Sequence, residues 1–358
     1  MKIAIAIFQL ETLGGKERDC LAVATHLQQR GHDVTVVTTR ATSMQLPLAI
    51  IPRRGFSNHG RAHQFAKAAI AYRDLHKPDL LLSFERVPGA DFHYAADAAM
   101  ASRITGAKKF LPRQHTYLRL ERGVFENPHT RFFFLTQSQR DQYAALYSFN
   151  PAQGMILPII LHNERFEAAR IATDRMATRD KIGLPRDAVV ALAVAVKPKQ
   201  KGLDRTLEAL AHFPDLHLVS IGSTDSWIAE QASALNVADR VHILSYGANV
   251  MDSMSACDFL LHPARAEAAG QVIVESLLAA RPAIVSGICG YASEIERSGA
   301  GIALREPFDP QNLCASLTIM LERLPAMTDA AQAESNKLQS QRGRWLSVIA
   351  DAIETNAR

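Results

Sequence analysis

At 358 residues the chain exceeds the size at which one hydrophobic core usually keeps growing, so two domains of ordinary size are expected. An apolar fraction of 47% beside 21% charged residues excludes a disordered chain, and scattered cysteines (Cys20, Cys257, Cys289, Cys314) with no C-x-x-C pair argue against a disulfide framework or a zinc site. The net charge of +4 is compatible with an anionic ligand or surface; MKIAIAIF is too short for a signal-peptide core and no apolar run approaches the roughly 20 residues of a membrane span, so a cytoplasmic location is expected.

In chain order, residues 2–8 (KIAIAIF) read as a buried strand, Gly14-Gly15 as a turn, Lys16–Arg30 as a helix stopping at Gly31-His32, and VTVVTT as the next strand. Together they make a β-α-β unit. LPLAIIP, PDLLLSF, RFFFLT and GMILP continue the alternation to about residue 160. From Ala188 a second series runs through VVALAVAV, GLDRTLEALAHF, LHLVSIG, a helix to Ala234, VHILS, DFLLHPA and RPAIVSG. The expected fold is α/β, with two Rossmann-like doubly wound domains, 1–160 and 161–337, facing a central cleft; the chain crosses near Leu157–Phe166. A final helix, 338–358, is expected to pack back on the first domain. Ligands of open α/β sheets sit outside the C-terminal strand ends, so the cleft is the expected site.

Three segments could carry chemistry. In LGGKERD (Leu13–Asp19) the glycines let the backbone approach a diphosphate at a helix N-terminus, or simply make a tight turn; the absence of G-x-G-x-x-G disfavours nicotinamide binding. KPKQKGLDR (Lys197–Arg205) follows a strand with Lys197, Lys199, Lys201 and Arg205, which either neutralise a diphosphate or form a solvated loop; Lys201, next to Gly202 and a helix start, is the strongest candidate. EAAGQVIVE sets Glu267 at a strand's C-terminal mouth and Glu275 two turns into a helix among Val272, Ile273, Val274, Leu277 and Leu278. Acids there can accept hydrogen bonds from sugar and ribose hydroxyls while the small residues between them bare their amides; an acid in so apolar a setting needs a partner.

These residues resemble the paired-glutamate motif of the retaining glycosyltransferases of family 4, which have the GT-B fold. More narrowly, LGGKERD, SNHGRAH (Ser57–His63), FERVPGADFHYAAD (Phe84–Asp97), KGLDRTLEAL, LLHPAR-AEAAG and VSGICGYASEI are similar to the lipopolysaccharide-core glucosyltransferases of that family, over nearly the whole chain. The resemblance implies UDP-glucose as donor and a heptose of the lipid-anchored lipopolysaccharide core as acceptor, with reaction on one face of the sugar. It implies no metal and no other cofactor. It implies that Gly14 and Gly15 face the diphosphate, that Lys201 neutralises it, that Glu267 with Ala268, Ala269, Gly270 and Gln271 holds the sugar and phosphates, and that Glu275 binds the ribose. Asp19 and Asp97 correspond to acidic cleft residues with a catalytic place beside Glu267 and Lys201, and His59 and Arg61 to acceptor-side residues. Gln200 and Gly247 stand where the similar enzymes carry arginines, leaving Lys197, Lys199 or Arg265 to supply charge.

Between Arg103 and Arg131 seven Lys/Arg residues are interleaved with Phe110, Tyr117, Leu118, Leu120 and Phe125. This is an ordinary solvated face or, with the resemblance, the surface by which Lys108, Lys109, Phe110, Arg113, Tyr117, Arg119 and Arg122 dock on an anionic inner membrane. No nucleic-acid-binding motif is recognised, so no such partner is expected. Competing readings are a family 4 transferase with another donor or glycan, such as capsule or exopolysaccharide, a nucleotide-sugar 2-epimerase of the same architecture, and a non-catalytic membrane-binding module.

Overall fold

The apolar runs form two separate, wholly parallel sheets in the computed structural model, which describes residues 1–11, 14–42, 46–104, 106, 111–171, 174–245, 247, 249–267 and 269–356, without the side chains of 103, 170 and 171. Parallel strands carry helices on both faces, so they must be apolar throughout rather than alternating. Ile3, Ile5, Val36, Leu81, Leu82 and Phe133 are all buried.

The first unit comprises Met1–Ile160 with Arg344–Arg358. It runs β1 (Lys2–Ala6), α1 (Gly15–Gln29), β2 (Asp33–Thr38), β3 (Leu48–Ile50), α2 (Asn58–His76), β4 (Leu80–Ser83), β5 (Phe92–Ala95), α3 (Met100–Arg103), α4 (Pro112–Phe125), β6 (Arg131–Phe134), α5 (Gln137–Leu146) and β7 (Gly154–Ile156). Its sheet order is β3-β2-β1-β4-β5-β6-β7. Phe125 sits in an aromatic cluster, stacked on Tyr143 at 4.0 Å and Phe132 at 4.8 Å between ring centroids.

The second unit, Leu161–Gly343, runs α6 (Asn163–Ile171), α7 (Arg175–Ile182), β8 (Val189–Val194), α8 (Leu203–Leu210), β9 (Leu216–Ile221), α9 (Ser226–Ala234), β10 (Val241–Leu244), α10 (Val250–Ala256), β11 (Phe259–His262), α11 (Gln271–Leu278), β12 (Ala283–Ser286), α12 (Ala292–Ser298), β13 (Gly301–Leu304) and α13 (Pro310–Ser340). The order β10-β9-β8-β11-β12-β13 reverses direction between β8 and β11, which makes that pair the topological switch point where doubly wound folds bind ligands. Buried Arg179 fastens the start of this sheet, donating to the carbonyls of Ala256, Pro185, Arg186 and Ala188 and to Asp258 Oδ2 at 2.9 Å.

The final helix is shorter than the sequence pattern suggests. Leu338–Ser340 complete α13, and the chain turns at Gly343 (φ +72°) before α14 (Arg344–Asn356). That helix packs on α1 in the first unit, burying Trp345, Ile349 and Ile353, while Arg30 pairs with Asp351 and Glu354 at 2.9 and 2.6 Å. Among the described residues no helix is long and apolar enough to cross a membrane.

Candidate functional site

In the second unit the loops after β8 and β11 meet at the switch point. Lys201 follows a turn in which its N–H donates to the Lys197 carbonyl at 3.0 Å, and Gly202 (φ +75°) then caps α8. Across from it the loop after β11 presents Glu267, and the Lys201 ammonium makes a direct ion pair with Glu267 Oε2. His262, the last residue of β11 and 1% exposed, places Nε2 3.4 Å from the same oxygen. Burial alone would push the Glu267 carboxyl up, but His262 and Lys201 outweigh it and hold the group at about 2, so it is a carboxylate at any working pH.

The small residues after Glu267 serve local geometry. Gly270 (φ +87°) is the N-cap of α11, whose first turn begins at Gln271 and offers amides that lack an intrahelical partner. The Ala269 carbonyl accepts from the Tyr291 N–H at 2.9 Å, so the SGICGY loop after β12 braces this turn. Ala268 lies outside the described residues. Glu275 is 8% exposed in α11, and its Oε1 accepts from Arg165 Nε of α6 at 2.9 Å. The protein partner that so apolar a setting demands is therefore Arg165, which sequence spacing could not reveal across 110 positions.

Arg265 and Lys199 have other partners. Arg265 forms a two-pronged pair with Asp204 at 2.6 and 2.7 Å and donates to the Lys199 carbonyl at 2.8 Å. Lys199 Nζ lies 5.2 Å from the Trp227 ring centroid. Gln200 donates to the Ala266 carbonyl and accepts at its own carbonyl from the Arg265 N–H, tying the two loops together. Gly247 is described but its neighbours 246 and 248 are not.

The first unit holds a pocket of about 300 Å³, lined by Lys16, Asn58, Arg61, Glu85, Arg86 and Tyr117 among others. Lys16 Nζ pairs with Glu85 Oε1 at 2.7 Å and Arg86 Nε with buried Glu121 at 2.9 Å, whereas Arg61 makes neutral contacts, to the Gly55 carbonyl at 3.0 Å and Asn58 Oδ1 at 3.4 Å. Gly14 is the N-cap of α1 and Gly15 its first residue, with open space where a Gly15 Cβ would stand.

Of the residues expected from sequence, the structure brings Lys201 together with Glu267 in one unit and sets Arg61 in the pocket of the other. Asp19 is 6% exposed, its Oδ2 accepting from Tyr94 Oη at 2.7 Å, while Asp97 is exposed and 3.5 Å from Arg86. His59 belongs to the first turn of α2, in contact with Ser57 Oγ at 3.2 Å. The basic segment divides by helical phase. Tyr117, half-buried, shares the face of Leu120 and Val124 and lines the pocket; Phe125 is buried, and Arg113, Arg119 and Arg122 stay exposed. Lys108, Lys109 and Phe110 lie outside the described residues. Sequence reasoning missed His262, Arg165, Lys16, Glu85 and Arg86, although HPAR and FERVPG contain three of them.

Comparison with known proteins bears on what this arrangement does. The family described as glycosyl transferases group 1 matches residues 174–336, the span that carries Lys201, Glu267 and Glu275. The chain is 31% identical over 340 residues to the lipopolysaccharide glucosyltransferase WaaG of Escherichia coli strain K12, covering 91% of each. The chain belongs to the group 1 glycosyltransferases. This transferase is also similar to a solved WaaG structure, described as a glycosyltransferase involved in lipopolysaccharide biosynthesis, with a TM-score of 0.85, 28% identity and coverage of 98% and 99% of the two chains. It is 24% identical over 341 residues to a D-inositol 3-phosphate glycosyltransferase of Stackebrandtia nassauensis, covering 82% of this chain and 75% of that one. The fold is GT-B. Among the described residues no cluster of three or more histidine, cysteine, aspartate or glutamate side chains is placed to hold a metal ion.

The transferase's ion pair depends on a close approach at Gly202. A Cβ there would collide with the Pro263 carbonyl oxygen at the end of β11, and φ of +75° is itself unfavourable for any L side chain. Gly202→Ala is expected to push the Lys201 loop off the Glu267 loop and lower kcat/KM by roughly 10²-fold, since a displacement near 1 Å in a reacting constellation costs that much. Steady-state kinetics beside circular dichroism of the folded variant test this; wild-type kcat/KM would show that the loops meet without the glycine.

Proposed function

We propose that this glycosyltransferase moves glucose from UDP-glucose to a heptose of the lipopolysaccharide inner core, retaining anomeric configuration and using no metal. One observation carries the reading: similarity over 91% of both chains to an enzyme named as a lipopolysaccharide glucosyltransferase. The residues present suit the chemistry. As the bond from the anomeric carbon to the diphosphate breaks, charge grows on the leaving oxygen, and Lys201 with the first amides of α11 offsets it without a metal. Glu267 accepts hydrogen bonds from the sugar hydroxyls, and Glu275, oriented by Arg165, from the ribose hydroxyls. The incoming hydroxyl attacks from the face the diphosphate leaves, and a diphosphate oxygen receives its proton. Arg61, Glu85 and Tyr117 hold the acceptor in the pocket of the first unit.

A lipid-anchored acceptor requires an enzyme at the inner membrane from the cytoplasmic side. Arg113, Arg119 and Arg122, exposed along α4, form the docking surface, each nearby cation contributing about 1 kcal/mol toward an anionic leaflet. The test is thermal stabilisation by a panel of nucleoside diphosphates and nucleotide sugars, followed by mass spectrometry of products. At a concentration about 100 times Kd the true donor adds about 2.7 kcal/mol, a rise of several degrees. UDP and UDP-glucose are expected to stabilise, and glucose to appear on a heptose-terminated core. Stabilisation and transfer with a different nucleotide sugar overturns the donor; conversion of UDP-sugar with no acceptor present overturns transfer itself.

A further inference from the structure

The loop from Pro52 to Ser57, between β3 and α2, is fastened on several sides. Arg61 Nε donates to the Gly55 carbonyl at 3.0 Å, the Arg53 guanidinium lies 5.7 Å from the Phe8 ring centroid, and Ser57 Oγ accepts from the Gly60 N–H to cap α2. Gly55 has φ of +105°, and a Cβ there would stand 2.9 Å from the Arg61 backbone nitrogen, so the chain passes too close for any side chain. At the tip of this braced loop Phe56 is fully exposed, and Ile50 at the end of edge strand β3 is 59% exposed. A floppy loop could fold its ring onto the surface. This one holds the ring in water, and an exposed aromatic on a fixed backbone is suited to burial in something else.

The surroundings say what. Arg54 and Lys67 line a largely apolar groove of about 760 Å³ between β3 and α2, with Ile50 and Leu75. On the other flank of α2, Arg119 Nη2 of α4 lies 3.5 Å from His63, whose basicity is lowered by burial and by Arg119 and Lys67. Arg122 follows, with Glu126 3.5 Å away. Cations thus border the ring and the groove and continue onto α4. A protein partner of matching acidity would not need a lone ring on a stalk; an anionic bilayer accepts cations in its headgroups and an aromatic ring at its interface.

We propose that Phe56 is a membrane anchor: its ring enters the interface of an anionic bilayer while Arg54, Lys67 and Arg119 meet the headgroups. The anchor extends the α4 docking surface and rests on the membrane part of the function proposed above. Sedimentation with vesicles of phosphatidylcholine and phosphatidylglycerol, at low and high salt, tests it. Phe56→Ser is expected to weaken partitioning roughly ten-fold at both salts, because apolar burial is not screened. Arg54→Ser/Lys67→Ser is expected to weaken it about ten-fold at low salt and little at high salt. Phe56→Trp should add an emission quenched by lipids brominated on the acyl chain, beyond the signal of Trp227 and Trp345. Unchanged partitioning of Phe56→Ser, or an unquenched tryptophan, overturns the anchor. If Arg119→Ser/Arg122→Ser alone loses binding, the α4 surface stands and the anchor falls; if the wild-type chain ignores anionic vesicles, both fall. Wild-type transfer by Phe56→Ser to a lipid-free acceptor checks that the variant is folded.

Discussion

Replacing Glu267 by glutamine is expected to lower kcat for sugar transfer by about 10²–10³-fold, or about 3–4 kcal/mol of transition-state stabilisation, and to lower thermal stability at neutral pH as well, because the carboxylate's contacts with Lys201 and His262 support the fold. The substitution keeps the shape of the side chain and its capacity to accept one hydrogen bond. It removes the charge that aligns the Lys201 ammonium and the Nε2 of buried His262. With a neutral amide there, Lys201 loses the counter-charge that fixes its position, so the diphosphate of the proposed donor would meet a mobile cation. Lys201→Ala should cost a similar factor, and the double variant little more than either single one, because the pair acts as a unit. A carboxyl held at about 2 is ionised at every pH where the enzyme works. An acid limb in the wild-type rate profile above pH 4 must therefore belong to another group and persist in Glu267→Gln. The same depression stabilises the fold above the ordinary carboxyl range, and that contribution disappears as pH falls toward 2. Equal rates for wild type and Glu267→Gln would remove this carboxylate from the chemistry.

What the sequence discloses about this molecule follows from where its information is local. Strands such as KIAIAIF and VVALAVAV announce themselves because a parallel strand buried on both faces is apolar without a break. β5 and β13 do not: each spans four residues, one carrying His93 inside FHYA and the other starting at Gly301. Glu267 and Lys201 were legible because each lies in a strand-to-helix loop, Lys201 next to Gly202 and Glu267 three residues before Gly270, and the return order of the strands then brings the two loops together. Arg165, which holds Glu275, was not, because a contact between helices far apart in the chain leaves no local pattern. The basic stretch before β6 shows the same limit: Lys/Arg interleaved with aromatics looks like one surface, but helical phase sends Tyr117 to a pocket and Phe125 to the core. Composition names a segment's chemistry, whereas phase decides which neighbours receive it.

Glu121, inside that stretch, is the position where substitution should do most damage to the first unit. Its side chain is wholly buried, yet both oxygens are satisfied: Oε2 accepts from Arg86 Nε at 2.9 Å and the Met100 N–H at 2.8 Å, Oε1 from Tyr147 Oη at 2.7 Å and the Ala101 N–H at 3.2 Å. One carboxylate of α4 thereby caps α3, receives the phenol at the end of α5 and neutralises an arginine of the 300 Å³ pocket. Burial and the bond to Glu121 push the Tyr147 phenol up, so it stays protonated and keeps donating. Glu121→Leu leaves a largely buried guanidinium without its main counter-charge and two helix-start amides without an acceptor, a loss of about 3–5 kcal/mol. Calorimetry should show the transition of the first unit lowered by about 10 °C, at roughly 2–4 °C per kcal/mol for a unit of this size, with the second unit's transition unmoved. Arg86→Met/Glu121→Leu should recover part of that loss, since removing both charges is less costly than stranding one. The recovery should not extend to function. Arg86 lines the pocket proposed to hold the acceptor, so on that proposal the double variant regains stability while its acceptor KM stays raised, a divergence that would separate the fold-supporting use of Glu121 from a binding use of its partner.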